Sequence, residues 1–145
     1  MELTYPTYQD VRTQSDAFFY FMKLLDTAMV DAVLKADRTY QDMEKAEFMK
    51  ALSAALARFE ERGDTEVRCF TGKCNSKKCH YECTGVRFVG PTSLSHLDLI
   101  VPIKEGEVQD VFECIDFKCD EASVKVKSRI WIDGFDFPPF IEDIE

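Results

Sequence analysis

Residues 42–63 read DMEKAEFMKALSAALARFEERG, and this stretch decides the class of fold. Phe48, Leu52, Leu56 and Phe59 recur at helical spacing and mark a buried stripe. Glu44, Glu47, Lys50, Arg58 and Glu61 mark the wet side. The pattern predicts a helix over about Met43 to Arg62, with Asp42 as its cap and Gly63 as its stop. From Asp64 onward the apolar period changes to two, so a sheet follows the helix.

Upstream, Gln14 opens a first helix with Ser15 as its expected N-cap and Phe18, Phe21, Met22 and Leu25 on one face. Asp26-Thr27 interrupts it, and a second short helix carries Met29, Val33 and Leu34. Arg38 to Gln41 reads as a short extended piece. Residues 1–13 read as a lead-in.

Downstream, strands are expected at about 65–73, 80–90, 94–103 and 107–117. Turn-type clusters separate them at 74–79, 90–93 and 104–107. Pairing outward from those turns sorts the sheet into two faces. One collects Val67, Cys69, Val86, Phe88, Leu97, Leu99, Val101, Ile103, Val108, Phe112 and Cys114, and is expected to meet the helices. The other collects Glu66, Arg68, Phe70, Cys83, Arg87, His96, Asp98, Ile100 and Glu113, a mixed face suited to solvent or to a second copy. Residues 123–132 alternate again and read as a fifth long strand. The tail, Gly134 to Ile141, is aromatic, acidic and broken by Pro138 and Pro139, which precludes regular structure over its whole length. It is expected to pack on the domain or on a partner. The expected organisation is a lead-in at 1–13, one domain at 14–119 and a C-terminal strand and tail at 120–145.

The chain has 145 residues, 46% of them apolar, enough for one core that needs no metal or disulfide. Net charge is −9. So acidic a surface repels phosphate backbones and anionic lipid, so nucleic acid and membrane are expected non-partners. With no basic, apolar leader and an apolar run of only Ala17 to Met22, a cytoplasmic protein is expected.

Leu25 to Leu34, then Tyr40-Gln41-Asp42 before a long helix carrying Phe48 and Leu52, resembles the opening of the nuclear transport factor 2-like superfamily. Val86-Arg87-Phe88, Leu97 to Val101 and Gly106 to Val111 resemble its last three strands. The resemblance covers about residues 14–117. It implies an α+β fold, with N-terminal helices packed on a strongly curved antiparallel sheet, a cone of the cystatin or nuclear transport factor 2-like kind. A cone of this kind implies an apolar pocket on the helix-facing side of the sheet, lined by Phe21, Tyr40, Val86, Phe88, Leu97, Leu99 and Phe112. Isomerase-type members use an aspartate base with a tyrosine and a protonated acid as oxyanion donors. Asp42 falls near the position of the base, and Asp110 is a second candidate acid on the projected pocket face, with Thr71, His80, Glu82 and Thr84. No tyrosine matches: Phe21 stands near that place and Tyr20 is one residue off. The expected function is a noncatalytic small-ligand or protein-binding domain, with no cofactor and with homodimerisation through the outer face at Phe70 and Ile100. The alternatives are a small acid–base isomerase, dehydratase or cyclase, and a zinc-stapled interaction protein.

The third reading rests on Cys69, Cys74, Cys79 and Cys83, with His80 among them. Alternation brings Cys74, Cys79 and Cys83 to one side of a hairpin and sends Cys69 to the other. Free thiols without metal are the expected state; Cys74, Cys79 and Cys83 are the residues a metal would take, and Cys74 with Cys79 is the pair a disulfide would take. Cys114 and Cys119 are expected at the opposite end of the sheet from Cys74. A Cys–His catalytic pair is not expected, since His80 alternates away from Cys79 and His96 lies on another strand.

Overall fold

A computed structural model describes residues 1–75, 85–121 and 123–132. The helices form where side chains satisfy their first amide groups. Helix α1 (Gln14–Lys23) is capped by Thr13, whose hydroxyl accepts the Asp16 amide at 3.1 Å; Ser15, the expected cap, is buried inside the first turn. Helix α2 (Thr27–Val33) is capped by Asp26, which accepts the Met29 amide at 3.1 Å, so the Asp26-Thr27 interruption is itself a capping device. Helix α3 (Lys45–Glu61) buries Phe48, Met49, Leu52, Ala55, Leu56 and Phe59, and the chain turns away through Gly63 at φ +100°.

Asp42 does not cap α3. It sits with Gln41 in the two-residue turn of a hairpin formed by β2 (Thr39–Tyr40) and β3 (Met43–Glu44), both turn residues at positive φ (51° and 59°). Two such residues make the tight turn that matches strand twist, and Asp tolerates that conformation better than most side chains.

The sheet centres on a meander of β4 (Arg68–Cys74), β5 (Gly85–Val89) and β6 (Ser95–Ile100). Outside β4 lie β1 (Glu2–Leu3) and β10 (Phe117–Cys119), with Leu3 opposite Cys69 and Phe117 opposite Cys74. Outside β6 lie β9 (Phe112–Glu113), antiparallel, and β11 (Ser128–Arg129), parallel, with Arg129 opposite His96. A separate hairpin joins β7 (Ile103–Lys104) to β8 (Glu107–Val108). The chain therefore leaves one edge of the sheet after β9, pairs at the other edge as β10, and returns as β11.

This is an α+β fold, with three helices on a multi-stranded and mostly antiparallel sheet. The sheet is not strongly curved, unlike the expected cone. The expected strand at 107–117 is three short pieces, β8, β9 and β10, because the chain changes sheet edge within it. The expected strand at 123–132 is regular only at Ser128–Arg129. The inner face is as expected for Val67, Cys69, Val86, Phe88, Leu97, Leu99 and Val101, all at 2% exposure or less and packed with Phe18, Met22, Phe48, Leu52, Leu56 and Phe59. Phe112 departs from it: the residue is half-buried opposite Ile100, whose neighbours Leu99 and Val101 take the inner side.

Candidate functional site

Asp98, His96 and Arg129 are buried together on the sheet face away from the helices. Arg87 on β5 is directly opposite Asp98 on β6. Its Nε and Nη2 donate to the two carboxylate oxygens at 2.8 and 3.0 Å. His96, two residues before Asp98 and therefore on the same face, places Nδ1 2.9 Å from Oδ1. The Arg129 guanidinium from β11 lies 3.8 Å from the other carboxylate oxygen and 3.7 Å from Glu113, and donates to the Cys114 carbonyl at 2.6 Å. It also stacks on Trp131, 3.7 Å from the ring centre. Glu113 accepts the Ile132 amide at 2.8 Å.

Asp98 and His96 are at 1% and 0% exposure. Burial alone pushes a carboxyl pKa up. Here the hydrogen bond and charge of His96, then those of Arg87, outweigh burial and hold Asp98 below its ordinary value. An ionised carboxylate only accepts, so Nδ1 of His96 carries the proton of their shared bond. Two guanidinium groups and two carboxylates thus meet across four strands, and β11 is tied to the meander by charge as well as by backbone.

Beside this network two thiols meet. Cys74 ends β4, and the 114–116 connection runs alongside it, with the Asn75 amide donating to the Asp116 carbonyl at 2.8 Å. The Cys114 thiol is in hydrogen-bond contact with that of Cys74 and is pushed up to about 12, first by burial and then by this neighbour. Cys119 lies opposite Gly72, its Sγ 3.8 Å from the Thr71 carbonyl. Cys114 and Cys119 are therefore at the Cys74 end of the sheet, not at the opposite end. The chain's change of edge after β9 brings them there. Cys69 is buried on the inner face, and desolvation raises its thiol strongly.

Several residues expected at a site make structural contacts in the fold. Asp42 is exposed in its hairpin turn. Asp110 accepts the amides of Gln41 and Val111 at 3.0 and 2.7 Å, fastening that turn to the strand side. Tyr40 is fully buried, donates its hydroxyl to the Lys35 carbonyl at 2.9 Å and packs on Phe48. Phe21, Val86, Phe88, Leu97 and Leu99 belong to the buried apolar core. Phe70 and Ile100, expected as dimer contacts, are 3% and 1% exposed within a single chain. Cys79, His80, Glu82, Cys83 and Thr84 lie outside the described residues, as does the tail from Gly134. Among the described residues no three metal-type donors converge.

Sequence reasoning set Arg87, His96, Asp98 and Glu113 on one face and read it as solvent or interface. Alternation from the 90–93 turn puts Arg87 and Asp98 on the same face, and opposite charges on one face were the signal available. The register that sets them directly opposite, with Val89 paired to His96, comes from the fold. The network does not suit catalysis. His96 is inaccessible to a substrate, and a thiol at about 12 is protonated at neutral pH and a poor nucleophile. No family model matches this chain, and no curated protein or solved structure is found similar to it.

Proposed function

We propose that this chain is a noncatalytic binding domain whose partner is another protein rather than a small apolar molecule. One observation carries the reading. The sheet face on which a ligand would sit is filled by the protein's own helices, and Val86, Phe88, Leu97 and Leu99 are all at 0% exposure beneath them. Among the described residues these side chains present no open surface to a small molecule on that face. Of the candidate bases, Asp110 is occupied by the amides of Gln41 and Val111, and Asp42 sits exposed in its turn. An exposed aromatic residue offers the kind of surface proteins use: Tyr8, 61% exposed, packs on half-buried Tyr20 and buried Phe21, beside a groove lined by Tyr5, Pro6, Tyr20, Lys23, Leu24 and Glu66.

The order of two helices, a hairpin, a long helix and a strand meander supports carrying the nuclear transport factor 2-like resemblance forward as the proposed fold relationship, with a flatter sheet than a cone. The test is native mass spectrometry of protein purified without added ligand. The expected spectrum carries no organic mass on the chain. A stoichiometric organic mass retained under gentle conditions, and displaced by widening Leu97 to Phe, would overturn the closed-face reading.

A further inference from the structure

We infer that the cleft between the end of α2 and the start of α3 is a docking site for a basic peptide segment of a protein partner, held by Asp37 and Glu44.

The cleft opens beside the β2–β3 hairpin and has a volume of about 860 Å³. The hairpin register sets its polar side. Glu44 is opposite Thr39, Asp37 lies two residues before Thr39, and all three line the cleft. Ala46 and Met49, one turn apart on α3, line its apolar side.

Two cations also line the cleft, and both are engaged by the protein itself. Lys45 donates to the Leu34 carbonyl at 2.7 Å and lies 3.3 Å from Asp31. Arg38 donates to the backbone and side-chain oxygens of Gln109 at 3.1 and 3.0 Å, with Glu107 at 3.5 Å. The charge left over is negative. Glu44 stands at the N-cap of α3, yet its side chain bonds no amide of that helix. Asp37 and Glu44 are exposed, and among the described residues neither carboxylate has a hydrogen-bond or ion-pair partner.

The occupant that complements this lining is a cation, and its form follows from the spacing of the acids. Among the described residues no three metal-type donors converge, so the carboxylates suit organic cations on separate side chains better than one metal ion. Arginine or lysine can lay its aliphatic stem along Ala46 and Met49 while its charged head reaches a carboxylate. The Arg38 Nε–H, buried at the side of the cleft, has no acceptor among the described residues. A peptide brings carbonyl oxygens as well as cations and can meet this donor, which a polyamine cannot. The net charge of −9 draws such a partner in from a distance. The inference rests on the reading of this chain as a protein-binding domain, and it concerns a surface other than the groove beside Tyr8.

The experiment is fluorescence anisotropy of a dye-labelled peptide alternating arginine and alanine, titrated with the full-length chain at about 0.15 M salt. The expected result is saturable binding that is absent when glutamine replaces arginine in the peptide. Asp37→Asn combined with Glu44→Gln should weaken binding at least about tenfold. Glu60→Gln combined with Glu61→Gln makes the same change in net charge at the other end of α3, about 24 Å away by helix rise, and should change affinity less than about twofold. Ala46→Trp fills the cleft from an exposed helix position without altering charge, and should weaken binding as much as the acidic pair. Amide chemical shifts of the unaltered chain need no variant, and on adding unlabelled peptide they should move around Asp37, Glu44 and Ala46. No saturable binding, or an equal loss in the Glu60 and Glu61 variant, would overturn the site. Shifts confined to Tyr5, Tyr8 and Tyr20 would also overturn it while leaving the protein-binding reading standing, and that reading falls separately, to a retained organic mass.

Discussion

Arg87 and Asp98 face each other directly across β5 and β6, joined by hydrogen bonds of 2.8 and 3.0 Å around a carboxylate at 1% exposure. A bidentate pair of this geometry, further held by His96, keeps Asp98 ionised inside the protein. Removing the carboxylate takes from Arg87 its bidentate partner and from Arg129 one of its two nearby carboxylates. Asp98→Ala is expected to lower unfolding free energy by about 3–5 kcal/mol, the cost of an orphaned buried charge. Urea denaturation measures it. A loss below about 1 kcal/mol would show the carboxylate to be dispensable.

The same pair predicts a pH dependence. A carboxyl held below its ordinary value of 3.8 stabilises the folded state above that value and loses the contribution as pH falls toward the folded-state pKa. Stability should therefore fall on acidification below about pH 4, and Asp98→Asn should flatten that limb. Glu2, also lowered by its pairing with Arg68, acts in the same direction at the surface, where salt screens it. Asp98's share should persist in high salt. A profile equally steep in wild type and Asp98→Asn would refute the assignment.

Asp42 and Asp110 differ sharply as structural residues, which separates their roles from catalysis. Asp110→Ala frees two backbone amides, those of Gln41 and Val111, and should cost about 1–3 kcal/mol. Asp42→Gly relieves a positive-φ residue in an exposed turn and should be neutral within about 0.5 kcal/mol. Thermal melts of both variants, side by side, check the contrast. Equal losses would contradict it.

Asp64 provides a fourth test. It is 2% exposed, and it accepts the amides of Thr92 and Ser93 at 2.8 and 3.2 Å and the Ser93 hydroxyl at 2.6 Å. It thus fastens the β5–β6 turn to the end of α3. Gly90 is pressed against this carboxylate so closely that an added Cβ would collide with it. Asp64→Ala should cost about 2–3 kcal/mol through the lost charge-assisted bonds. Gly90→Ala should also destabilise, and combining it with Asp64→Ala should cost less than the sum, because the collision disappears. Strict additivity in a double-mutant cycle would refute the contact.

The amino-acid sequence by itself determined the elements that depend on local pattern. Phe48, Leu52, Leu56 and Phe59 at helical spacing specify α3, and alternation on either side of the 90–93 turn puts Val86 and Leu99 on one face and Arg87 and Asp98 on the other, while the register that opposes them is set by the fold. Period and turn chemistry act over a few residues and are legible there. The cap of α3 was misread because Asp42 suits a cap and a tight turn equally well, and only the pairing of Tyr40 with Met43 chooses the turn. Tertiary structure alone decided what lies beside what across long loops. Nothing local says that the chain leaves β6 after Glu113, pairs with β4 at Phe117, and returns to set Arg129 beside His96. That route converts a face that reads as solvent into a buried charge network. It also brings Cys114 to Cys74, because contacts between distant segments are selected by burial and charge compensation over the whole fold rather than by any neighbouring residue.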